Sequence, residues 1–238
     1  MAYIILSLMF YVTMVVVNAL ANIIPINGQT TGEISNKLDV LITPASYAFM
    51  IWGIIYILLA IWLARGFMRK YRAITYSKTT SILFMLTCIL NAAWILVWHY
   101  ELFALSVAVI LLLLLTLLFL YKTIKSASDR LFDFLPFSIY IGWISVASIV
   151  NISYYMTYIG MHLSDPLWTV SLLAIGGILG IFFRIFEKDW AYVLVIIWAY
   201  IAIAIKNWSS EQAVSYSALF ISLLLLILVF IPFKKKKA

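Results

Sequence analysis

Eight long windows of the sequence contain no charged residue, and each is close to the length of one helical crossing of a membrane. The windows are residues 2–24, 42–64, 79–98, 102–121, 137–159, 167–183, 190–205 and 212–232. Because they are continuously apolar and do not alternate with polar residues, they predict helices and not the strands of a barrel. We therefore predict an all-α integral membrane protein with about eight transmembrane helices and the lipid bilayer as its surroundings.

The basic residues predict how the chain is oriented. If the N-terminus is cytoplasmic, fourteen of the 16 Lys and Arg residues fall on the inside, and only Lys37 and Lys206 fall outside. An excess of Lys and Arg on cytoplasmic loops is typical of multi-pass proteins, so we expect both termini in the cytoplasm and the protein in the cell membrane. Small residues around Ala19 resemble a signal-peptide cleavage site. No Lys or Arg precedes the first window, however, so we expect its helix to be retained.

The charged residues also exclude several kinds of function. All of them lie in connections or near the ends of windows, whereas ion-coupled transporters, proton pumps and voltage sensors depend on ionisable groups within their spans. The formal charge of +7 comes from basic residues beside apolar windows, including the lysine run 234–237, and this pattern indicates a membrane surface and not nucleic acid. The single Cys88 allows no intrachain disulfide.

Three windows carry aromatic residues and amides at helical spacing. The sets are Ala45, Phe49, Trp52 and Tyr56 in the second window, Asn91, Trp94 and Trp98 in the third, and Tyr140, Trp143, Ala147 and Asn151 in the fifth. Each set shares one face of a helix with 3.6 residues per turn. An amide in lipid needs a hydrogen-bond partner, so Asn91 and Asn151 should point into the bundle together with these aromatic rings. With a rise of about 1.5 Å per residue, Phe49, Trp52 and the two asparagines would form one layer below the outer helix ends.

Plain packing is the alternative to a pocket in this layer. The tryptophans could fill the interior, and the two asparagines could equally join helices to one another. Tryptophans near window ends are expected in the interfacial aromatic belt, namely Trp98, Trp168, Trp190 and Trp208. Residues 26–41 are rich in turn formers and long enough to cover the outer end of the bundle as a lid. Residues 122–136 suit either an amphipathic turn in the interface or a solvated linker.

Three motifs resemble those of the TspO/MBR family, the tryptophan-rich sensory proteins related to the mitochondrial translocator protein. Thr43-Pro44-Ala45-Ser46-Tyr47-Ala48-Phe49, followed by Trp52 and Tyr56, resembles the family's second-helix pattern of Pro-Pro-x-Trp-x-Phe, then Trp and Tyr. Leu90-Asn91-Ala92-Ala93-Trp94 resembles its third-helix Leu-Asn-x-x-Trp, and Tyr140, Trp143, Ala147 and Asn151 match the spacing of its fifth helix. Ala45 stands in place of the second proline, and Ile139 in place of the proline before Tyr140.

The resemblance implies a five-helix bundle over residues 1–160, followed by three additional helices and a basic tail over residues 161–238. It also implies a pocket under the first loop, which in the family binds tetrapyrroles such as haem precursors, and sterols in some members. On this basis we expect a membrane binding or sensory protein for a hydrophobic, flat ligand such as a porphyrin or haem. The expected ligand contacts are Phe49, Trp52, Tyr56, Asn91, Trp94, Tyr140, Trp143 and Asn151.

Two other functions remain open from the sequence. The absence of charge within the windows permits a facilitator that moves a small neutral or amphipathic solute without ion coupling. An enzyme would need His99, Glu101, His162 and Asp165 as ligands of a metal or haem near the outer surface. The sequence favours a binding protein over an enzyme and leaves a homodimer open.

Overall fold

The computed structural model describes residues 2–161 and 165–232, and it forms helices joined by short connections in these ranges. The long helices are α1 (Ala2–Ile23), α2 (Ile51–Arg65), α3 (Lys78–His99), α4 (Phe103–Ala127), α5 (Leu131–Tyr158), α6 (Pro166–Phe186), α7 (Trp190–Asn207) and α8 (Gln212–Phe230). A 3-10 turn, Ser46–Met50, leads directly into α2. With this turn counted as part of α2, all eight are long and apolar enough to cross a membrane, which confirms the predicted spans. The lysine run 234–237 lies outside the described residues.

The predicted boundaries are wrong between the fourth and fifth helices. Only residues 128–130 are non-helical there, so most of residues 122–136 is neither an interfacial turn nor a linker. The helices can continue because their charged residues find partners at the ends of other helices. Lys122 and Lys125 pair with Glu187, and Arg65 Nη2 lies 2.9 Å from Asp133 Oδ1.

Helix α5 lies at the centre of the bundle. On one side α1 packs on α3, α3 on α4 and α4 on α5, while α2 packs separately on α5. On the other side α5 contacts α7, which packs with α6 and α8. Gly142 allows the close approach of α5 and α7, because a Cβ atom there would lie only 2.9 Å from Cβ of Val195. The division of the chain at residue 160 stays a prediction, and the last three helices join the first five through contacts of α7 and α6 with α5.

A buried carboxylate and a buried guanidinium hold the helix ends opposite the 26–41 segment. Asp189 caps α7 by accepting hydrogen bonds from the N–H groups of Ala191 and Tyr192, and it also accepts from the hydroxyls of Tyr121 and Ser138. In addition, Arg184 donates to the carbonyls of Leu228, Val229 and Ile231 at and just beyond the end of α8, where a helix cannot supply all of its own carbonyls with partners. Asp189 therefore links α4 and α5 to the start of α7, and Arg184 links α6 to the end of α8.

Candidate ligand-binding site

Residues 26–41 fold against the ends of α3 and α5, and we call the side of the bundle that they cover the loop side. The short helix Thr31–Ser35 begins with a capping box, in which the Thr30 hydroxyl accepts from the N–H of Glu33 and the Glu33 carboxylate accepts from the N–H of Thr30. This hydrogen bond from the Thr30 backbone lowers the pKa of Glu33 below its ordinary value. Ile34 is fully buried, and its carbonyl accepts a hydrogen bond of 2.8 Å from the hydroxyl of Tyr154. The segment is therefore packed onto the bundle.

His99 fastens this segment to the end of α3. Its buried ring places Nδ1 at 3.1 Å from the carbonyl oxygen of Ile26 and Nε2 at 2.9 Å from the hydroxyl of Thr31. A carbonyl can only accept, so Nδ1 carries a proton and donates to Ile26, and in the neutral ring Nε2 accepts from the Thr31 hydroxyl. Beside it, Lys37 forms an ion pair with Glu101, and the hydrogen bond from Lys37 lowers the pKa of the Glu101 carboxyl.

The described residues that were considered as metal or haem ligands have other partners in the structure. Both ring nitrogens of His99 are engaged with the 26–41 segment, Glu101 pairs with Lys37, and Asp165 caps α6. His162 lies outside the described residues. Within residues 2–161 and 165–232, no three His, Cys, Asp or Glu side chains come close enough together to hold a metal ion.

A cavity of about 530 Å³ lies between α1 and α2 beneath residues 30–32. This volume falls in the range of small-molecule sites. One wall is the α1 stripe Val15, Asn18, Ala19 and Asn22, and the opposite wall is formed by α2 and the turn before it, with Phe49, Trp52, Gly53 and Tyr56. None of the described residues that line the cavity is charged. Further from the loop side, the hydroxyl of Tyr11 donates to the carbonyl of Tyr56 at 2.8 Å and so ties the two helices together.

Five of the predicted ligand contacts form one aromatic cluster at this cavity. Phe49, Trp52 and Tyr56 line it, whereas Tyr140 and Trp143 lie behind them. The ring of Trp52 meets Tyr140 edge-on at a centroid distance of 5.8 Å and Trp143 at 6.4 Å. The two α5 aromatics therefore support the wall without lining the cavity. Whether any of these residues contacts a ligand stays a prediction.

The two predicted asparagines join helices. Asn91 is fully buried, and it accepts a hydrogen bond from Asn18 and donates one to the hydroxyl of Tyr140, both at 2.7 Å. The Asn151 oxygen accepts from Nε1 of Trp94 at 2.9 Å, and its nitrogen donates to Ser106. These contacts are those expected if the amides connect helices. Asn18, which is bonded to Asn91, also lines the larger cavity.

Trp94 and Asn151 border a second cavity, which has a volume of only about 30 Å³. This is the room that about one water molecule occupies. Trp98 also borders it and is almost fully buried, stacked on Trp94 at a centroid distance of 5.7 Å. The expectation that Trp98 belongs to the interfacial belt is therefore wrong, because residues 26–41 and α5 cover the end of α3.

Sequence reasoning missed the α1 wall of the larger cavity. Two asparagines one helical turn apart, Asn18 and Asn22, interrupt an otherwise largely apolar window. With Val15 and Ala19 they follow the i, i+3, i+4, i+7 spacing of one helix face, and this signal could have identified the wall.

Helix α7 supports the turn that carries the aromatic wall. Nε1 of Trp198 donates to the carbonyl of Ala48 at 3.2 Å, one residue before Phe49. Nearer the loop side, Asn207 donates to the carbonyl of Leu41 at 2.9 Å. Helix α7 therefore contributes to the position of the site although none of its described residues lines the cavity.

The comparisons with known proteins support one family. The family model described as TSPO-like protein matches residues 4–231, which include all of α2 to α8 and nearly all of α1. Neither the curated proteins nor the solved structures contain a match to this chain. A match over nearly the whole length, together with eight apolar helices, makes this a multi-pass membrane protein of the TspO type. The chain belongs to the TSPO-like protein family.

Proposed function

We propose that this protein is a membrane binding or sensory protein for a flat, apolar ligand such as a tetrapyrrole, and that the ligand lies in the 530 Å³ cavity between α1 and α2. The observation that carries this proposal is the aromatic wall. Trp52 and Tyr56 lie nearly parallel, with 20° between their ring planes and 5.7 Å between centroids. These two rings are stacked on each other at the cavity, so they form an ordered aromatic surface against which a planar, apolar ligand can pack.

The surroundings of the wall favour binding because they hold it in place before a ligand arrives. Tyr140 and Trp143 meet Trp52 edge-on, and Trp143 also meets Phe49 edge-on at 5.8 Å. A wall that is already ordered loses little side-chain freedom when it binds, and this lowers the cost of association.

The composition and position of the cavity favour a ligand that is dissolved in the bilayer. Its lining is aromatic, aliphatic or neutral polar, and it lies between two helices that face the bilayer. We place the protein in the cell membrane with the loop side outward, because fourteen of the 16 basic residues then face the cytoplasm. An apolar ligand would thus be held on the outer half of the membrane, under residues 30–32.

Titration with protoporphyrin IX tests the proposal. We expect saturable quenching of tryptophan fluorescence in detergent-solubilised protein, and at least a tenfold loss of affinity in Trp52→Leu, because stacking and burial against the indole are removed. The matched control is Trp208→Phe, because Trp208 is 53% exposed and lies outside the cavity. Unchanged affinity in Trp52→Leu would refute the site, and quenching that does not saturate would refute the ligand class. Saturable, pH-gradient-independent uptake of a solute into proteoliposomes would instead favour a facilitator.

A further inference from the structure

The side-chain amide of Asn18 can adopt only one orientation. Its Nδ2 atom lies 2.9 Å from the backbone oxygen of Met14 and 2.7 Å from Oδ1 of Asn91. A backbone carbonyl only accepts hydrogen bonds, so the atom of Asn18 that faces Met14 must be the nitrogen. Asn91 must then turn its oxygen to Asn18 and its nitrogen to the hydroxyl of Tyr140, at 2.7 Å. The row of hydrogen bonds from α1 through α3 to α5 has a fixed direction.

This direction determines what Asn18 presents to the cavity. The two hydrogens of Nδ2 are used by Met14 and Asn91, so the amide has no donor left. Its oxygen, Oδ1, accepts no hydrogen bond from the described residues, and Asn18 is part of the cavity wall. The wall of α1 therefore offers a hydrogen-bond acceptor that has no donor. Asn18 is only 6% exposed, so water has little access to this oxygen.

The charge of the lining restricts the ligand further. No charged side chain from the described residues lines the cavity, so an ionised group inside it would have no counter-charge. Taking such a group out of water without a partner is strongly unfavourable, whereas a neutral hydroxyl or N–H group would be satisfied by Asn18.

We propose that the part of the ligand that fills the cavity is uncharged and presents a hydrogen-bond donor at its edge, such as a side-chain hydroxyl, to Oδ1 of Asn18. This inference rests on the proposed function, because it concerns the same cavity, and it adds the polarity that the ligand must have. Asn18 is then a residue that determines specificity, and the aromatic wall provides affinity for any flat, apolar molecule.

A pair of uncharged porphyrins that differ in their donors tests the inference. Haematoporphyrin dimethyl ester carries two side-chain hydroxyls, and in its dimethyl ether both are methylated while the ring is unchanged. We expect the hydroxyl form to bind the wild-type chain about tenfold more tightly, the value of one satisfied hydrogen bond in an apolar site. This ratio is measured first in the wild-type chain and does not depend on the folding of a variant.

Variants at Asn18 show whether a preference for the hydroxyl form comes from the hydrogen bond or from the larger size of the ether. In Asn18→Leu we expect the two porphyrins to bind equally. Asn18→Ser is the second variant, since its short hydroxyl cannot replace Oδ1 but leaves a polar group for Asn91. Ser7→Ala is the matched control, because Ser7 is a buried polar residue of α1 outside the cavity, and it should keep the wild-type ratio.

Each outcome decides between the proposals. A ratio near one in the wild-type chain, with both porphyrins bound, would overturn the inference and leave the proposed function standing. A tenfold ratio that persists in both Asn18 variants would also overturn it, because the preference would then be steric. If neither these porphyrins nor protoporphyrin IX binds saturably, the proposed function fails and the inference fails with it.

Discussion

A leucine in place of Gly53 should block the cavity without disturbing the fold. Gly53 follows Trp52 on α2, one turn before Tyr56, and it lines the cavity. A Cβ atom at this position would have no atom of the surrounding protein within 4 Å. The new side chain would therefore extend into empty space and not into packed neighbours.

The size of the effect follows from the cavity. A leucine adds four carbon atoms, which at about 30 Å³ each, the share of a water molecule, take roughly 120 Å³ from the 530 Å³. If the ligand loses room for about four carbons, at about 0.8 kcal/mol for each buried CH₂, binding weakens by about 3 kcal/mol, or about a hundredfold in Kd. Gly53→Ala takes the space of one carbon and should weaken binding only about fourfold.

The stability of the two Gly53 variants should be kept or rise, although their affinity for the ligand falls. Glycine in a helix interior is less favourable than alanine by about 0.5–1 kcal/mol, so both variants should keep or raise the thermal midpoint. The assay is protoporphyrin IX titration with thermal unfolding of the same samples. Wild-type affinity in Gly53→Leu would refute the location of the ligand. A lowered midpoint in Gly53→Ala would refute the open space next to Gly53.

Three further variants test the packing around the site. Gly142→Ala places a Cβ atom 2.9 Å from Val195, so we expect a loss of about 1–3 kcal/mol in stability, and an unchanged thermal midpoint would contradict the close α5–α7 contact. Asn207→Leu leaves the carbonyl of Leu41 without its partner, at a cost of about 1–3 kcal/mol, and hydrogen exchange of residues 38–45 should accelerate. His99→Phe removes both ring contacts with residues 26–41, so bound porphyrin should dissociate faster than from Trp208→Phe, and equal rates would argue against a closing role for the segment.

The spans could be predicted because the bilayer imposes a simple requirement. A helix that crosses lipid must exclude unpaired charge over about 20 residues, so charge-free windows locate it directly. The same rule failed over residues 122–136, where Lys122, Lys125 and Asp133 lie within helices. Their partners, Glu187 and Arg65, are distant in sequence, and no local pattern reveals such pairs.

The site could be predicted only in part. Helical spacing identified which faces of α2, α3 and α5 point inward, and Asn91, Tyr140 and Trp143 are indeed almost fully buried. The spacing could not tell which inward faces meet each other and which border a space. Two small residues, Ala19 on α1 and Gly53 on α2, line the larger cavity. Its location depends on packing between helices, which one-dimensional periodicity does not contain.

The 3-10 turn Ser46–Met50 explains why α7 matters to a cavity that it does not line. A short 3-10 turn leaves backbone groups without the partners that an α-helix would supply, and lipid offers none. Helix α7 provides them, since Ala202 accepts from the N–H of Ala45 at 3.2 Å and Trp198 donates to the carbonyl of Ala48 at the same distance. Without α7 the N–H of Ala45 would lose its acceptor and be left in hydrocarbon, at a cost of several kcal/mol, whereas the carbonyl of Ala48 would keep only its bond from the N–H of Ile51. The turn that carries Phe49 and α7 therefore form one structural unit, in keeping with a family match that runs through residue 231.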